Sequence, residues 1–204
     1  STTAQINKDS LWKCFNDTLK PDSIRLAAID KIAWEGYLQT KPDSAFYYAT
    51  IQYEFAEKRG LKKEMAVALN TQGLSFKNRG QYTKALSYYS MSKIISEEFA
   101  KSSDPKVAKK GKKDLASILN NIGTIYYNQG DYIQAIDCYK RGLKVDLEIE
   151  NKKGISYTYN NLAAVYHKQG DYANAINNFN NSYKIKKELG DKKGMSGSLG
   201  NLGT

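Results

Sequence analysis

The side chains that could do chemistry are few. The 204 residues hold one histidine, His167, and two cysteines, Cys14 and Cys138, set far apart in unrelated surroundings. Neither cysteine belongs to a CxxC pair, so the usual ligand spacings assemble no zinc site. His167 has no second His, no Cys and no carboxylate placed beside it by a motif. It reads as an aromatic ring with a polar tip in preference to a ligand or a general base. No nucleophile elbow or paired-carboxylate motif occurs, and Gly194-Met195-Ser196-Gly197 does not fit the phosphate-loop pattern GxxxxGK[ST]. The expectation is a chain that binds and does not catalyse, with no cofactor and no metal.

Asparagine recurs where chemistry does not. Asn70, Asn120, Asn121, Asn160, Asn161 and Asn201 all fall inside helical patterns. Asn is disfavoured there because its side chain competes for backbone hydrogen bonds, so something offsets the cost. Two explanations stand side by side. The amides could form a ladder offering donor and acceptor to the backbone of an extended peptide, or each could bond within its own or the neighbouring hairpin.

The elements that carry these residues repeat. NNIGTIYYNQGDY, from Asn120, returns as NNLAAVYHKQGDY from Asn160, and GNLGT stands at Gly200. Small residues align at Gly73, Gly123, Ala163 and Gly203, then at Ala85, Ala135 and Ala175. Leu119, Ile122, Gly123 and Tyr126 recur at helical spacing and make one apolar face. Gly130 ends that helix in a left-handed conformation, and Asp131 caps the next through its carboxylate. Small Gly123 and Ala135 let the two helices approach closely. Each unit is a helix hairpin, and one hairpin cannot bury its faces alone, so neighbours must stack.

The pattern Ile122-Gly123-x2-Tyr126 … Ala135-x3-Tyr139, with Leu162-Ala163-x2-Tyr166 … Ala175-x3-Phe179, resembles the tetratricopeptide repeat. It departs from that family in a period of 40 residues instead of the usual 34 and in lacking the closing Pro. The resemblance implies an all-α fold, a right-handed α-solenoid of stacked antiparallel hairpins. Residues 1–20 are expected to form an N-terminal cap helix, with Leu11, Trp12, Phe15 and Leu19 on its apolar side. Residues 23–60 form a degenerate first repeat, in which Pro42 starts the second helix. Residues 61–111, 112–151 and 152–191 form the second to fourth repeats, and 192–204 the first helix of a fifth. The second repeat carries ten extra residues around KSSDPKVAKKGKK, from Lys101, expected as a solvated extension and turn; the other reading is a docking site for an acidic partner or a lipid headgroup surface.

In the family, one flank of each first helix lines the concave groove. Stepping 100° per residue from Gly123 puts Ser117, Asn120, Thr124, Tyr127 and Asn128 on that flank. The matching positions are Tyr157, Asn160, His167 and Lys168 in the fourth repeat, and Asn70, Lys77 and Asn78 in the second. Asn121 and Asn161 join them as ladder candidates. The resemblance therefore implies a peptide-binding groove rich in amide, hydroxyl and aromatic groups.

Bulk composition agrees with a folded binding module. Hydrophobic content is 41%, and 16 Tyr outnumber 6 Phe and 2 Trp, which suits half-buried helix surfaces. No run of residues is long and apolar enough for a membrane span. The net charge of +10 comes mainly from dispersed Lys, a pattern of solvated surface more than of a nucleic-acid footprint. The family reading is the sensor region of a bacterial membrane-anchored signalling protein. In it the array continues past Thr204 towards an output domain such as a nucleotide cyclase or kinase. Small Thr2 and Ala4 fit the positions before a secretory cleavage point, which favours the periplasm over the cytoplasm, and equally fit an arbitrary start to the sequence. The alternatives are a scaffold that self-associates through an open C-terminal end and, behind it, a nucleic-acid-binding solenoid.

Overall fold

The structure, a computed structural model, describes residues 6–191 and Gly194. The expectations for Thr2, Ala4, Met195–Gly197, Asn201, Gly203 and the fifth repeat's helix fall outside these residues. Among the described residues all regular structure is helical, with no strand. The helices are α1 (Lys8–Asn16), α2 (Asp22–Lys31), α3 (Pro42–Glu57), α4 (Lys62–Asn78), α5 (Tyr82–Ala100), α6 (Pro105–Asn128), α7 (Tyr132–Glu148), α8 (Lys152–Lys168) and α9 (Tyr172–Glu188). A π-helical segment, Ile32–Tyr37, extends α2. The fold class expected from the repeat, an all-α helical-repeat fold, is the one observed.

The forty-residue period has a simple origin. Helices α7, α8 and α9 are each 17 residues long, joined by three-residue turns, so two helices and two turns fill one period. The turns are made by local chemistry. Gly130 takes φ 80°, which lets Asp131 N–H donate back to Tyr126 C=O at 2.9 Å and closes the helix end. The Asp131 carboxylate then accepts from Gln134 N–H at 3.1 Å, capping α7 as the sequence suggested. Asp171 does the same for α9 through Asn174, and those bonds hold its carboxyl below the usual range.

The chain divides into two compact units, Ser1–Ser96 and Glu97–Thr204, with the division inside α5. In the first unit α1 packs on α2, and α3 packs on α2, the π-helical segment and α4. Phe15, Leu26, Ala28, Ile29, Phe55 and Ala56 form its core cluster, with Leu11 and Cys14 packed against it. Arg25 donates from Nε to Phe15 C=O at 2.7 Å and lies over the Phe55 ring. Helix α1 ends at Asn16 and Leu19 is 94% exposed. The cap's apolar side is therefore shorter than expected, because Pro21 follows too closely for another helical turn to bury Leu19.

In the second unit α6 packs on α7, α7 on α8, and α8 on α9. Ala135, Tyr139, Leu162 and Val165 are buried together, walled by Tyr126, Tyr132, Tyr159 and Tyr166. Gly123 serves the Tyr139 ring: a Cβ at Gly123 would meet that ring at 2.7 Å. Burial raises the Tyr139 phenol above its ordinary pKa, and its O–H donates to Thr124 Oγ1 at 3.2 Å. The fourth repeat replaces all three groups at once, with Ala163, Ala164 and Phe179 standing where Gly123, Thr124 and Tyr139 stand. Without the phenol O–H, Phe179 needs no hydroxyl partner, and it is buried at 3% exposure.

The Lys-rich segment, expected as a solvated extension and turn, is an exposed turn followed by added helix. After a short turn, Asp104 caps a helix through Lys106 N–H at 2.8 Å, Pro105 takes the first position, and α6 runs unbroken for 24 residues. Most of the ten extra residues are added helix. Gly111 is the reason they stay docked: a Cβ there would meet Ala100 N and Phe99 C at 2.5–2.6 Å.

Candidate functional site

The flank chosen by helical stepping can be followed along α6 and α8, which are neighbours in the second unit. Asn120 is the pivot, and here the structure corrects the sequence reading. Its side chain is 3% exposed. Nδ2 donates to Ala116 C=O at 3.0 Å, and Oδ1 accepts from Thr158 Oγ1 at 3.0 Å and Asn161 Nδ2 at 3.5 Å. Asn120 is therefore a staple between α6 and α8, not a rung presented to a ligand. Asn161 spends part of its amide on the same staple, and Asn121 is half-buried with a partner inside the chain.

The space for this staple comes from Gly142. In the second repeat Ser92 Oγ donates to Ala66 C=O at 2.7 Å; in the fourth, Ser182 Oγ donates to Ser156 C=O at 2.8 Å. The third repeat has Gly142 at that register, and a Cβ there would stand 3.0 Å from Asn120 Nδ2. The missing serine hydroxyl is replaced by the Asn120 amide, which satisfies Ala116 C=O instead. Neither Gly142 nor Thr158 was picked out from the sequence. The repeat alignment carried a signal for each: Gly142 stands where Ser92 and Ser182 stand, and Thr158 where Ala68 and Ile118 stand.

What remains on the flank faces outward. Ser117 and Asn128 on α6, and Tyr157 and Lys168 on α8, are exposed; Thr124, Tyr127, Asn160 and His167 are half-buried. Tyr127 rests against Tyr132 at a ring separation of 6.0 Å. His167 meets Tyr172 edge-on at 5.6 Å. Tyr132 and Tyr172, which open α7 and α9, thus hold the flank's rings in place. These groups offer hydroxyls, amides, an imidazole and a phenol along two helices locked together by the staple.

Asn70, Lys77 and Asn78 lie on α4, in the first unit. Asn78 donates from Nδ2 to Leu38 C=O at 3.0 Å, so its amide latches the end of α4 to the turn after the π-helical segment. Asn70 is half-buried with a partner in the chain. Lys77 is half-buried, and burial lowers its pKa.

Asp146 was also missed. It is 2% exposed, accepts from Asn151 Nδ2 at 2.6 Å, and lies against Gly154, where a Cβ would meet Oδ2 at 2.2 Å. Burial raises its pKa above the ordinary value, against the opposing pulls of the Asn151 bond and Lys113. No group of three or more His, Cys, Asp or Glu among the described residues is disposed to hold a metal ion. No helix there is long and apolar enough to cross a membrane.

Comparison with known proteins fits this geometry. A family model described as tetratricopeptide repeat matches residues 114–203. No curated protein matches the sequence. Among solved structures, the fold is similar to BtubC (BKLC) from P. vanneervenii, with a TM-score of 0.66 and 19% identity, over 90% of this chain and 71% of that one. It is also similar to aspartyl phosphate phosphatase F from Bacillus subtilis, with a TM-score of 0.78 and 18% identity. That match takes in 94% of this chain but only 48% of the phosphatase. The hairpins, the glycine turns and the small-residue register of the described residues are those that the tetratricopeptide repeat model, matched over residues 114–203, would lead one to expect.

Proposed function

We propose that the chain is a protein-interaction module that holds an extended peptide segment along the outward flank of α6 and α8. One observation carries this reading. After the staple, the packing bonds and the buried faces are subtracted, a row of hydroxyl, amide and aromatic groups is left on two helices fixed in register, from Ser117 and Tyr157 to Asn128 and Lys168. Polar groups of this kind pair with a peptide backbone, and the rings of Tyr127, Tyr157 and His167 form the walls for side chains. The frame of the proposal is a cap at 1–20 followed by repeats at 23–60, 61–111, 112–151 and 152–191.

The module serves as the interaction region of a larger bacterial signal-transduction protein. Supporting this is the likeness in fold to a bacterial aspartyl phosphate phosphatase, of which this chain spans about half. The test begins with a displayed library of extended peptides, followed by titration of the selected peptides. Tyr157→Ala with His167→Ala should weaken their binding by roughly 1–3 kcal/mol, while the helix content stays unchanged. Peptides that bind the double variant as tightly as the parent chain overturn the assignment of this flank.

A further inference from the structure

Helix α6 is seven residues longer than α8, about two turns, and the added turns are not featureless. At 100° per residue, Lys106, Lys110 and Lys113 share a sector of about 60° with Ser117, Thr124 and Asn128. The lysines therefore continue the candidate flank beyond its polar part, on the side away from Gly111, which is pressed against Phe99 and Ala100. All three are exposed. Lys110 pairs with Asp114 at 2.8 Å, a pair near the surface that is worth little energy and easily exchanged for another carboxylate. Neighbouring Lys112 is turned aside to Glu148 at 3.0 Å and is not part of the row. Lys113 also acts on the buried Asp146 carboxylate; with exposed Lys109 nearby, lysines at this end outnumber the neighbouring Asp104 and Asp114.

Of the three, Lys106 lies in the first turn of α6, where a cation opposes the macrodipole, beside the Asp104 carboxylate that caps the helix. Resting on the flank reading above, we infer that the partner segment is acidic at one end, with its Asp or Glu side chains over Lys106, Lys110 and Lys113 and its remainder along Ser117, Thr124 and the α8 rings. From Lys106 to Asn128 the row runs for about 33 Å, which matches about ten residues of extended peptide. Complementary charge at one end fixes the direction in which such a segment lies.

The experiment selects twelve-residue random peptides against the whole chain and against the variant Lys106→Gln/Lys110→Gln/Lys113→Gln, with circular dichroism to show that both are folded. The expected result is that the parent chain selects peptides with Asp or Glu clustered at one end and the variant does not. The acidic peptides should bind the variant about three- to thirty-fold more weakly, and their binding to the parent should fall as salt rises. Selected peptides without acidic bias, still lost with Tyr157→Ala/His167→Ala, overturn this inference and leave the flank reading standing. Acidic peptides that need the lysines but ignore Tyr157 and His167 overturn the flank reading and the shared row. Tighter binding to duplex DNA or to phosphatidylserine vesicles than to any selected peptide overturns the assignment of an acidic segment. Failure to select any peptide sinks the flank reading and this inference with it. If the triple variant unfolds, Lys106→Gln/Lys113→Gln is carried through the same selection.

Discussion

Asn120 has one side chain with two claims on it. As a rung for a ligand it would be accessible; as a staple it is buried, with donor and acceptor both spent inside the chain. Asn120→Ala is therefore expected to lower stability by about 1–3 kcal/mol, because the buried bonds from its amide to Ala116 C=O and from Thr158 and Asn161 to its carbonyl oxygen are all lost. Affinity for flank-binding peptides should not change in the folded variant. Denaturant unfolding and peptide titration read the two effects separately, and a stable variant with weakened binding would restore Asn120 to the flank. Asp146 yields a second prediction at this scale. Its folded pKa lies above its unfolded value, so below about pH 4 both states hold the proton and ionisation costs nothing. As pH rises from the unfolded pKa to the folded one, the unfolded state ionises first and stability is lost; above the folded pKa both states are ionised and the loss stays constant. Asp146→Asn keeps the bond to Asn151 and removes the ionisation. It should raise Tm at pH 7, with the gain shrinking towards pH 4. A gain that is the same at both pH values would show that the charge is not its cause.

At the scale of the element, turns and close contacts decide. Five turns place Gly at the left-handed position, with φ from 65° to 80°, while the turn between α7 and α8 places Glu150 there at φ 55°. A side chain is strained in that region. Glu150→Gly should stabilise the chain by about 0.5–1 kcal/mol, measured by denaturant unfolding, since relief of strain outweighs the added freedom of the unfolded chain. An unchanged or lowered midpoint would mean that the Glu150 side chain makes contacts worth more than the strain. Ala135 tests the opposite situation. It is fully buried against Tyr139, Leu162 and Val165, so Ala135→Leu should cost roughly 1–3 kcal/mol through overpacking. Thr124→Leu, on the half-buried flank, should cost less than that, although it gives up the bond from Tyr139. Equal losses would show that the two faces of the hairpin have been confused.

For the whole molecule, charge is the property no single hairpin owns. With 31 Lys and Arg against 21 Asp and Glu, compaction brings like charges together, and self-repulsion opposes folding. Melting at pH 7 should therefore move to higher temperature as salt rises from about 20 to 300 mM, where the screening length falls to under 10 Å. Repeats make this architecture legible from sequence: the period, the glycine turns and the aspartate caps depend on contacts within a few residues, and such contacts are written locally. The hairpins, their boundaries near each Gly-Asp-Tyr, and the all-helical class follow from that alone. The destination of each polar side chain does not. Helical stepping placed Asn120 and Thr124 on one flank. Only packing showed that a Gly142 across the hairpin opens room for the first, and that the second receives the phenol of Tyr139. The same holds for the Lys-rich segment, which reads locally as a solvated extension and turn without showing how much of it is helix. Docking of Gly111 against Phe99 and Ala100 made it helix. Local propensity is settled by neighbours along the chain; a hydrogen-bond partner or a close backbone contact is settled by whatever another helix leaves unoccupied, and that is known only once the helices are packed.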